Sequence, residues 1–562
     1  MKSKVAMLFL LVFLLATSLA VIAQSSTATS DIEQLKVQMN AQQKLLEKQQ
    51  AHIQALESAL AEQQKMLTNV VQVGGANGSA MLVPAVGHSV TDLSAGAYGN
   101  QTPDNTTVPA DQEPPLAEQE KVEEELQRGP EIADVTPDTP AVKLGPAKLR
   151  IIGYPAMTTV WRSTNSGGNV GTSFANIPFS NTVPGNTSEF RVSPQSTRLA
   201  LRVDADLSTA KAAGYFEMDF GGSPNAGNIA VTSSSFTFRI RQAWFDWQKG
   251  KWELTGGQLF SLMTPNKKGI LPWPGDVATT QVIDTNYVAG LVQGRYPQFR
   301  IVYNASKGMA FGFSVENPEQ QVGNNVVFPS GINSIISTQY NTGSQELKVP
   351  NMTPDFVLKG SFDGKFNGDR AVHLDVGTVM RVFRSWSGGQ VSGKDYAFGW
   401  GVGANFNVQL VKTVRLVLDG FASDGAGRYI GGLAPDVIVR ANGSISPIHS
   451  YSWVSGFEIA PSKITGLYVY YSGLYAQKNA TLNSDGTCCV GYGYPGANTN
   501  ADRLIEEFTG GYSRVFWKYE NVGSMQWGVQ YAYEWLYPWV RGIAPNSAHT
   551  NMIFSQVRFN LP

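Results

Sequence analysis

From residue 147 to the C-terminus, the chain consists of stretches of about ten residues with an apolar side chain at every second position. In residues 396–408 all even positions are apolar, whereas the odd positions hold Gly, Asn or Ala397. Successive side chains of a β-strand point to opposite faces, so this alternation predicts strands with one apolar and one polar face. No apolar segment of this region is long enough to cross a membrane as a helix. The pattern therefore indicates a transmembrane β-barrel with an apolar outside and a hydrated inside.

Sixteen strand candidates predict an all-β fold, a 16-stranded antiparallel transmembrane β-barrel over residues 147–562. They lie near residues 148–162, 195–206, 212–220, 236–247, 251–260, 297–303, 308–316, 353–362, 371–385, 396–408, 412–422, 448–459, 463–475, 507–519, 524–536 and 550–561. The connections within successive pairs are short, at 207–211, 248–250, 304–307, 363–370, 409–411, 460–462 and 520–523. The intervening connections are long, notably 163–194, 261–296, 317–352, 423–447 and 476–506. Outer-membrane barrels have short periplasmic turns and long external loops, whereas a soluble β-sandwich has no reason to alternate loop lengths in this way.

Three segments precede the predicted barrel. Residues 1–23 place two lysines before a short apolar run and small residues before position 24, which indicates a secretory signal peptide. Residues 30–73 carry apolar heptads and predict a coiled-coil helix that associates with other copies of the chain. A single amphipathic helix lying on another surface is the alternative. Residues 74–146 contain nine prolines and an acidic excess, which predicts a mostly disordered linker.

The formal net charge of −1 conceals an asymmetry along the chain. Residues 74–146 contain 12 acidic and 3 basic residues, whereas residues 147–562 contain 27 acidic and 34 basic residues. Only 15% of all residues are charged, which suits a barrel whose lipid-facing side carries no charge. The predicted barrel is cationic and the predicted linker is anionic.

The alternation also assigns charged side chains to the barrel interior. A charge at mid-depth on the lipid face costs about 2–4 kcal/mol, so ionisable residues between outward apolar positions are expected to face inwards. The predicted pore-lining or solute-binding residues of the strands are Arg198, Arg202, Arg239, Arg241, Arg300, Arg381 and Arg415. Either these arginines pair with interior carboxylates such as Glu217 and Asp219 and brace the wall, or some remain unpaired and attract anions. The basic balance of the region favours the second interpretation.

The connection 261–296 is unusually apolar for an exposed loop. Its apolar residues include Ile270, Leu271, Trp273 and Val277. We expect this connection to fold into the barrel and narrow the channel, with Lys267 and Lys268 beside the constriction. Packing at a contact between subunits is the alternative.

No motif in the sequence indicates enzymatic chemistry. The five histidines are scattered, and no hydrolase, metalloprotease or nucleotide-binding motif has its required context. Cys488 and Cys489 are adjacent, where a disulfide is rare, and two cysteines alone make no convincing metal site. We expect no enzymatic activity, metal, cofactor or nucleic-acid partner.

Several strand segments resemble the DcaP-like porins. These segments are SPQSTRLAL (193–201), YFEMDF (215–220), FRIRQAW (238–244) and GGQLF (256–260). The similarity is strongest over residues 190–305, and the N-terminal coiled coil is a second agreement. The resemblance implies a trimeric, sixteen-stranded outer-membrane channel for small, often anionic solutes, with Arg239 and Arg241 lining the channel. The acidic linker and the terminal Leu561–Pro562 depart from the family pattern.

We therefore expect a porin of the bacterial outer membrane, with its N-terminal region in the periplasm, that allows passive diffusion of small hydrophilic and preferentially anionic solutes. The expected partners are outer-membrane lipids, further copies of the chain in a homotrimer, and small anionic solutes. The barrel-assembly machinery is a further expected partner, since one face of the last strand carries Ile553, Val557, Phe559 and Leu561. The alternative is a structural or adhesive protein that tethers the membrane through its coiled coil and acidic linker.

Overall fold

The computed structural model describes residues 140–562 except 168, 223–235, 274–276, 280, 307, 342–350, 352, 367–369, 389–392, 495–500 and 541–543. The predicted signal peptide and coiled coil, and almost all of the predicted linker, lie outside the described residues. Strands dominate the described part, so the all-β prediction is confirmed. Within that part, no helix is long and apolar enough to cross a membrane.

The strands before residue 390 are β1 (Val142–Leu144), β2 (Ala147–Tyr154), β3 (Ala156–Arg162), β4 (Glu189–Ser193), β5 (Arg198–Asp206), β6 (Lys211–Asp219), β7 (Arg239–Lys249), β8 (Trp252–Phe260), β9 (Arg295–Ser306), β10 (Met309–Glu316), β11 (Asp355–Phe366) and β12 (Arg370–Trp386). The later strands are β13 (Lys394–Val411), β14 (Val414–Asp424), β15 (Val437–Val439), β16 (Ile445–Pro447), β17 (His449–Ser462), β18 (Thr465–Ala476), β19 (Asn479–Leu482), β20 (Cys488–Tyr492), β21 (Asp502–Tyr519), β22 (Gly523–Pro538) and β23 (Ala548–Asn560). The described helices are short: α1 (Asn333–Ile336) and the 3₁₀ helices Pro184–Asn186, Gly323–Asn325, Ser337–Gln339 and Gly427–Tyr429.

Nineteen of these strands form one antiparallel sheet, and the other four form the separate hairpins β15–β16 and β19–β20. The order of pairing is β1, β2, β5, β6, β7, β8, β9, β10, β11, β12, β13, β14, β17, β18, β21, β22, β23, β3, β4. Sequence neighbours are therefore mostly neighbours in the sheet, as in a meander.

Strands β2 and β3 are separated by Pro155, which has no N–H to donate to a sheet ladder. β2 pairs with β5, and β3 pairs with both β4 and the last strand, β23. The Phe559 N–H donates to the Pro155 carbonyl over 3.0 Å, and the Leu561 N–H donates to the Gly153 carbonyl over 2.9 Å. The N-terminal and C-terminal strands of the sheet are thus hydrogen-bonded to each other.

β4 was not expected from the sequence, which assigned residues 163–194 to a connection. Phe190 and Val192 alternate with less exposed residues and are themselves 67% and 51% exposed, so this short segment has the same two-faced pattern as the longer strands.

Two residues at the short turns adopt left-handed backbone angles, Gly250 with φ 61° and Asn521 with φ 60°. Glycine and asparagine tolerate this conformation best, which explains why they occupy these turns.

The two faces of the sheet differ as the alternation predicts. In β13, Phe398 and Trp400 are 57% and 41% exposed, whereas Asn405 and Asn407 are buried on the opposite face. We call the first the exposed apolar face and the second the covered face. Connections over the covered face contribute buried apolar residues to one cluster, and these include described residues of 174–179, 262–292, 322–340 and 426–448.

Candidate channel lining

The covered face carries a network of charged side chains on β5, β6 and β7. Arg198 is paired in register with Asp219, which is in turn paired with Arg239, so these three residues lie side by side on adjacent strands. A register shift between Glu217 and Met218 brings Arg241 beside the same carboxylates. The alternation of β6 thus presents its two acids to basic residues of its neighbours.

Arg239 and Arg241 form ion pairs with the carboxylates of β6. The Arg241 Nε lies 2.5 Å from Glu217 Oε1, and its second guanidinium nitrogen lies 3.0 Å from Asp219 Oδ2. The Arg239 guanidinium lies 2.8 Å from Asp219 Oδ2. The Arg241 side chain is fully buried, whereas that of Arg239 is 41% exposed, so only Arg239 has substantial access to solvent. This is the pairing expected for wall braces.

Arg202 lies on the same face and contacts Trp273 of the connection that follows β8. It pairs with Asp204 over 2.9 Å, and Arg150 of β2 pairs with the same carboxylate over 2.5 Å. The Arg202 guanidinium is stacked 3.7 Å from the centre of a Trp273 ring. Trp273 also packs against Tyr215 and Trp244, with ring centroids 5.8 Å and 4.8 Å away.

The remaining predicted arginines are also on the covered face. Arg300 is buried near Glu253 and Asp246, and two of its nitrogens have no hydrogen-bond partner. Arg381 is fully buried, with Asp355 at 3.0 Å and Asp436 at 2.9 Å. Arg415 pairs with Glu458, and one of its nitrogens donates to the Ala278 carbonyl over 2.9 Å.

Asp436 belongs to the connection after β14 and anchors it to the sheet. Burial raises the pKa of Asp436, although the nearby Arg381 and a hydrogen bond from the Arg428 N–H act in the opposite direction. The ion pair therefore offsets only part of the desolvation of this carboxyl group.

Replacing Arg381 with Met is expected to lower the free energy of unfolding by about 3 kcal/mol, because it removes the ion pair of Asp436 and leaves Asp355 with only the Arg428 guanidinium, 3.6 Å away, as its cation. Thermal unfolding of the detergent-solubilised protein measures this loss. Arg239→Met is the matched control, since the side chain of Arg239 is 41% exposed and the loss there should stay below about 1 kcal/mol. Equal losses in the two variants would contradict a structural role for the Arg381 pairs.

The described residues of the connection 261–294, here called the inner connection, lie against the covered face. Its backbone N–H groups donate to carboxylates and an amide of the sheet. These bonds are Leu262 to Glu316 over 2.9 Å, Asn266 to Asp375 over 3.1 Å, Ile283 to Gln530 over 2.7 Å and Ala289 to Glu507 over 2.8 Å. Strands β10, β12, β21 and β22 thus all hold this connection.

Lys267 is half-buried and Lys268 is exposed, so the two predicted lysines are the more open part of the inner connection. Sequence reasoning missed a buried lysine beside them. The Lys359 ammonium donates to the Thr264 carbonyl and to Asn266 Oδ1, each over 2.7 Å, and it lies 3.2 Å from Asp375. Lys359 alternates with the apolar residues of β11, and this alternation could have placed it on the covered face.

Arg295, the first residue of β9, was also missed. It is half-buried, and its guanidinium lies 5.7 Å from the centre of the Phe260 ring. Arg239, Arg241, Asp219 and Glu217 are close enough to act on its charge. Among the described residues, Arg295 makes no side-chain hydrogen bond and no ion pair within 4.0 Å. Its guanidinium group is therefore not held in place by a described carboxylate.

Asp284 joins the inner connection to the connection after β3. It accepts hydrogen bonds from the Thr172 N–H and hydroxyl and from the Asn286 N–H. Burial raises the pKa of Asp284, while the hydrogen bonds from Thr172 and Asn286 lower it. Two connections on the covered face are thus tied to each other by one carboxyl group.

The described residues contain no cluster of His, Cys, Asp or Glu that could hold a metal ion. Cys488 and Cys489 form a disulfide with each other at the start of β20.

This arrangement, an antiparallel sheet with an exposed apolar face and a charged covered face, has a porin-like fold. The outer membrane channel DcaP of Acinetobacter baumannii shares it, with 16% sequence identity over 74% of this chain and 97% of that chain and a TM-score of 0.54. An anion-selective porin from Comamonas acidovorans (10% identity, 74% and 100% coverage) and OprB of Pseudomonas putida (12% identity, 73% and 94% coverage) give TM-scores of 0.40 and 0.38. The comparisons with protein-family models and with curated proteins gave no match.

Proposed function

We propose that this protein is a porin of the bacterial outer membrane that allows small hydrophilic solutes, preferentially anions, to diffuse passively. The observation that carries the proposal is the pairing of β3 with β23 while β2 pairs with β5. We propose that the sheet closes on itself through these pairings, since residues on either side of Pro155 then have neighbours from both ends of the sheet, and only a closed sheet satisfies its edges inside a membrane.

The same pairings support a barrel of sixteen strands. β1 is a short addition to β2, and the interruptions at Pro155 and at residues 194–197 divide two longer strands into β2 with β3 and β4 with β5. Treating each divided strand as one leaves sixteen, an even number that puts both termini on one side. The exposed apolar face, with Phe299 at 64% and Ile301 at 39% exposure, then contacts lipid.

The preference for anions is supported by the cluster around Glu217 and Asp219. Four guanidinium groups, those of Arg198, Arg239, Arg241 and Arg295, surround these two carboxylates. The excess of positive charge attracts negative solutes, and the surrounding low-dielectric wall strengthens this field. Lys267 and Lys268 are proposed to add to the field at the constriction.

The remaining parts of the proposal rest on the sequence. The N-terminal residues are proposed to be exported, to form a periplasmic coiled coil and to hold three copies together. The apolar side of β23 is proposed to be recognised by the barrel-assembly machinery. No catalytic activity is included in this proposal.

Reconstitution of the purified protein into a planar bilayer tests the function. We expect stepwise conductance, in groups of three for a trimer, with a reversal potential that indicates anion preference. Protein that inserts without conducting would favour the alternative of a structural or adhesive outer-membrane protein. That alternative draws on the apolar cluster over the covered face, which includes Leu262, Val326 and Ile438 and leaves less room for water.

A further inference from the structure

A cavity of about 410 Å³ lies between the connection that follows β3 and the adjacent ends of β21 and β22. Most of its lining is apolar, with two uncharged polar residues and one carboxyl group. The lining residues are Ala175, Asn176, Ile177, Pro178, Phe179, Thr182, Pro184, Asp502 and Leu536. This volume falls within the range of small-molecule sites, which are also largely apolar with a few polar groups that orient the ligand.

Asp502 is the acidic residue of this cavity, and its carboxyl group has no hydrogen-bond partner among the described residues. The residue is 2% exposed, and both carboxylate oxygens are buried without a hydrogen bond. The Tyr492 hydroxyl donates to the backbone carbonyl of Asp502 over 2.6 Å and leaves the side chain unsatisfied. A buried carboxyl group without a hydrogen-bond partner is costly, so Asp502 is expected to have a partner that the described residues do not supply.

The charged groups near Asp502 do not neutralise it. The guanidinium of the adjacent Arg503 lies 5.9 Å from the ring centres of both Tyr537 and Trp539. Glu534 of β22 is a second buried carboxylate whose oxygens both lack a hydrogen bond, and it interacts electrostatically with Asp502. Arg162, which interacts with Glu534, is itself paired with Glu189 over 2.9 Å. The wall behind the cavity therefore holds a second carboxyl group, and the basic residue nearest to it is already engaged elsewhere.

We propose that this cavity binds a small organic cation, an ammonium group on an apolar body, with Asp502 as its counter-ion. The ammonium group would supply the hydrogen-bond donors that the carboxylate lacks, and a charge-assisted hydrogen bond is stronger than a neutral one. The apolar body would pack against Ile177, Phe179 and Leu536, which already form part of the buried apolar cluster. This site is separate from the proposed anion pathway around Arg239 and Arg295.

Titration calorimetry with 2-phenylethylammonium chloride, on the full chain in lipid nanodiscs, tests the proposal. We expect Asp502→Asn to weaken binding about tenfold or more, because the amide cannot hold the cation. The uncharged 2-phenylethanol should bind the native protein as weakly as the cation binds the variant. Equal binding of the cation to both proteins, or equal binding of the cation and the alcohol to the native protein, would overturn the proposal.

Asp246→Asn is the matched control, since Asp246 is a buried carboxylate of β7 that does not line the cavity, and this variant should bind the cation normally. Ala175→Leu fills the cavity while keeping the carboxylate, and it should also abolish binding. Normal binding by Ala175→Leu would place the site elsewhere. Single-channel conductance of the same protein tests the porin function separately. A protein that binds the amine at Asp502 but does not conduct would contradict the porin function and leave the cation site standing.

Discussion

Excision of residues 267–276, with Asn266 and Val277 rejoined through two glycines, is expected to raise single-channel conductance about twofold or more, because it removes part of the proposed constriction. The structure allows this deletion with little disturbance. Asn266 and Val277 form an antiparallel bridge, and the Ala278 N–H donates to the Pro265 carbonyl over 2.9 Å. The two ends are therefore already neighbours, as in a hairpin that a two-residue turn can close.

The expected increase follows from what the excised segment occupies. Ile270 is buried on the β10 side, where it lies near Gly312, and the Gly269 N–H donates to Asp363 of β11 over 2.9 Å. Trp273 packs on Tyr215 and Trp244 of β6 and β7. The segment therefore reaches from β11 to β6 across the covered face, while the anchoring bond from Asn266 to Asp375 remains after the excision.

The control for this experiment separates bulk from charge. Lys267→Gln combined with Lys268→Gln removes both charges and keeps the segment, so it should change the reversal potential while conductance stays within about twofold of native. Unchanged conductance in the excised protein would mean that the inner connection packs on the wall without narrowing the path. The heat-dependent migration of the folded variant on a gel checks that it is still assembled.

The strands were predictable from sequence because their signal is local. A period of two determines which residues of β13 share a face. The interruption at Pro155 was not expected, since residues 148–162 were assigned to one strand. The inner connection was predictable for a related reason, since Ile270 and Val277 are apolar in a segment between strands. Each of these features depends on a few consecutive residues.

The partners of the charged residues were not predictable in the same way. The alternation places Arg241 on the covered face, but its contact with two carboxylates depends on the register shift at Glu217, which leaves no simple mark in the sequence. Arg295 precedes the predicted start of its strand. It is an even number of residues away from the exposed Phe299, so the alternation would have placed its side chain on the exposed face. Its contact with Phe260 depends on the three-dimensional course of the chain.

The charge of Arg295, which no described carboxylate pairs with, is expected to have a large effect on ion selectivity. Arg295→Gln is expected to lower the anion-to-cation permeability ratio about fivefold at low salt concentration. One unit charge about 8 Å from a passing ion contributes about 0.5 kcal/mol in water, favourable for an anion and unfavourable for a cation, so its loss changes the ratio by about 1 kcal/mol. A reversal potential measured across a potassium chloride gradient reports the change, and the effect should diminish as the salt concentration rises.

Arg241→Gln and Lys251→Gln show whether position or total charge is responsible. Lys251 is exposed in the β7–β8 turn and donates to the Ala305 carbonyl, so its loss removes the same charge from the surface and should leave the ratio unchanged. Arg241→Gln leaves Glu217 and Asp219 less compensated in the buried network, so we expect it to reduce stability as well as anion preference. A ratio that falls in Arg241→Gln but not in Arg295→Gln would assign the field to the braced arginines, and Arg295 would then have no part in selectivity.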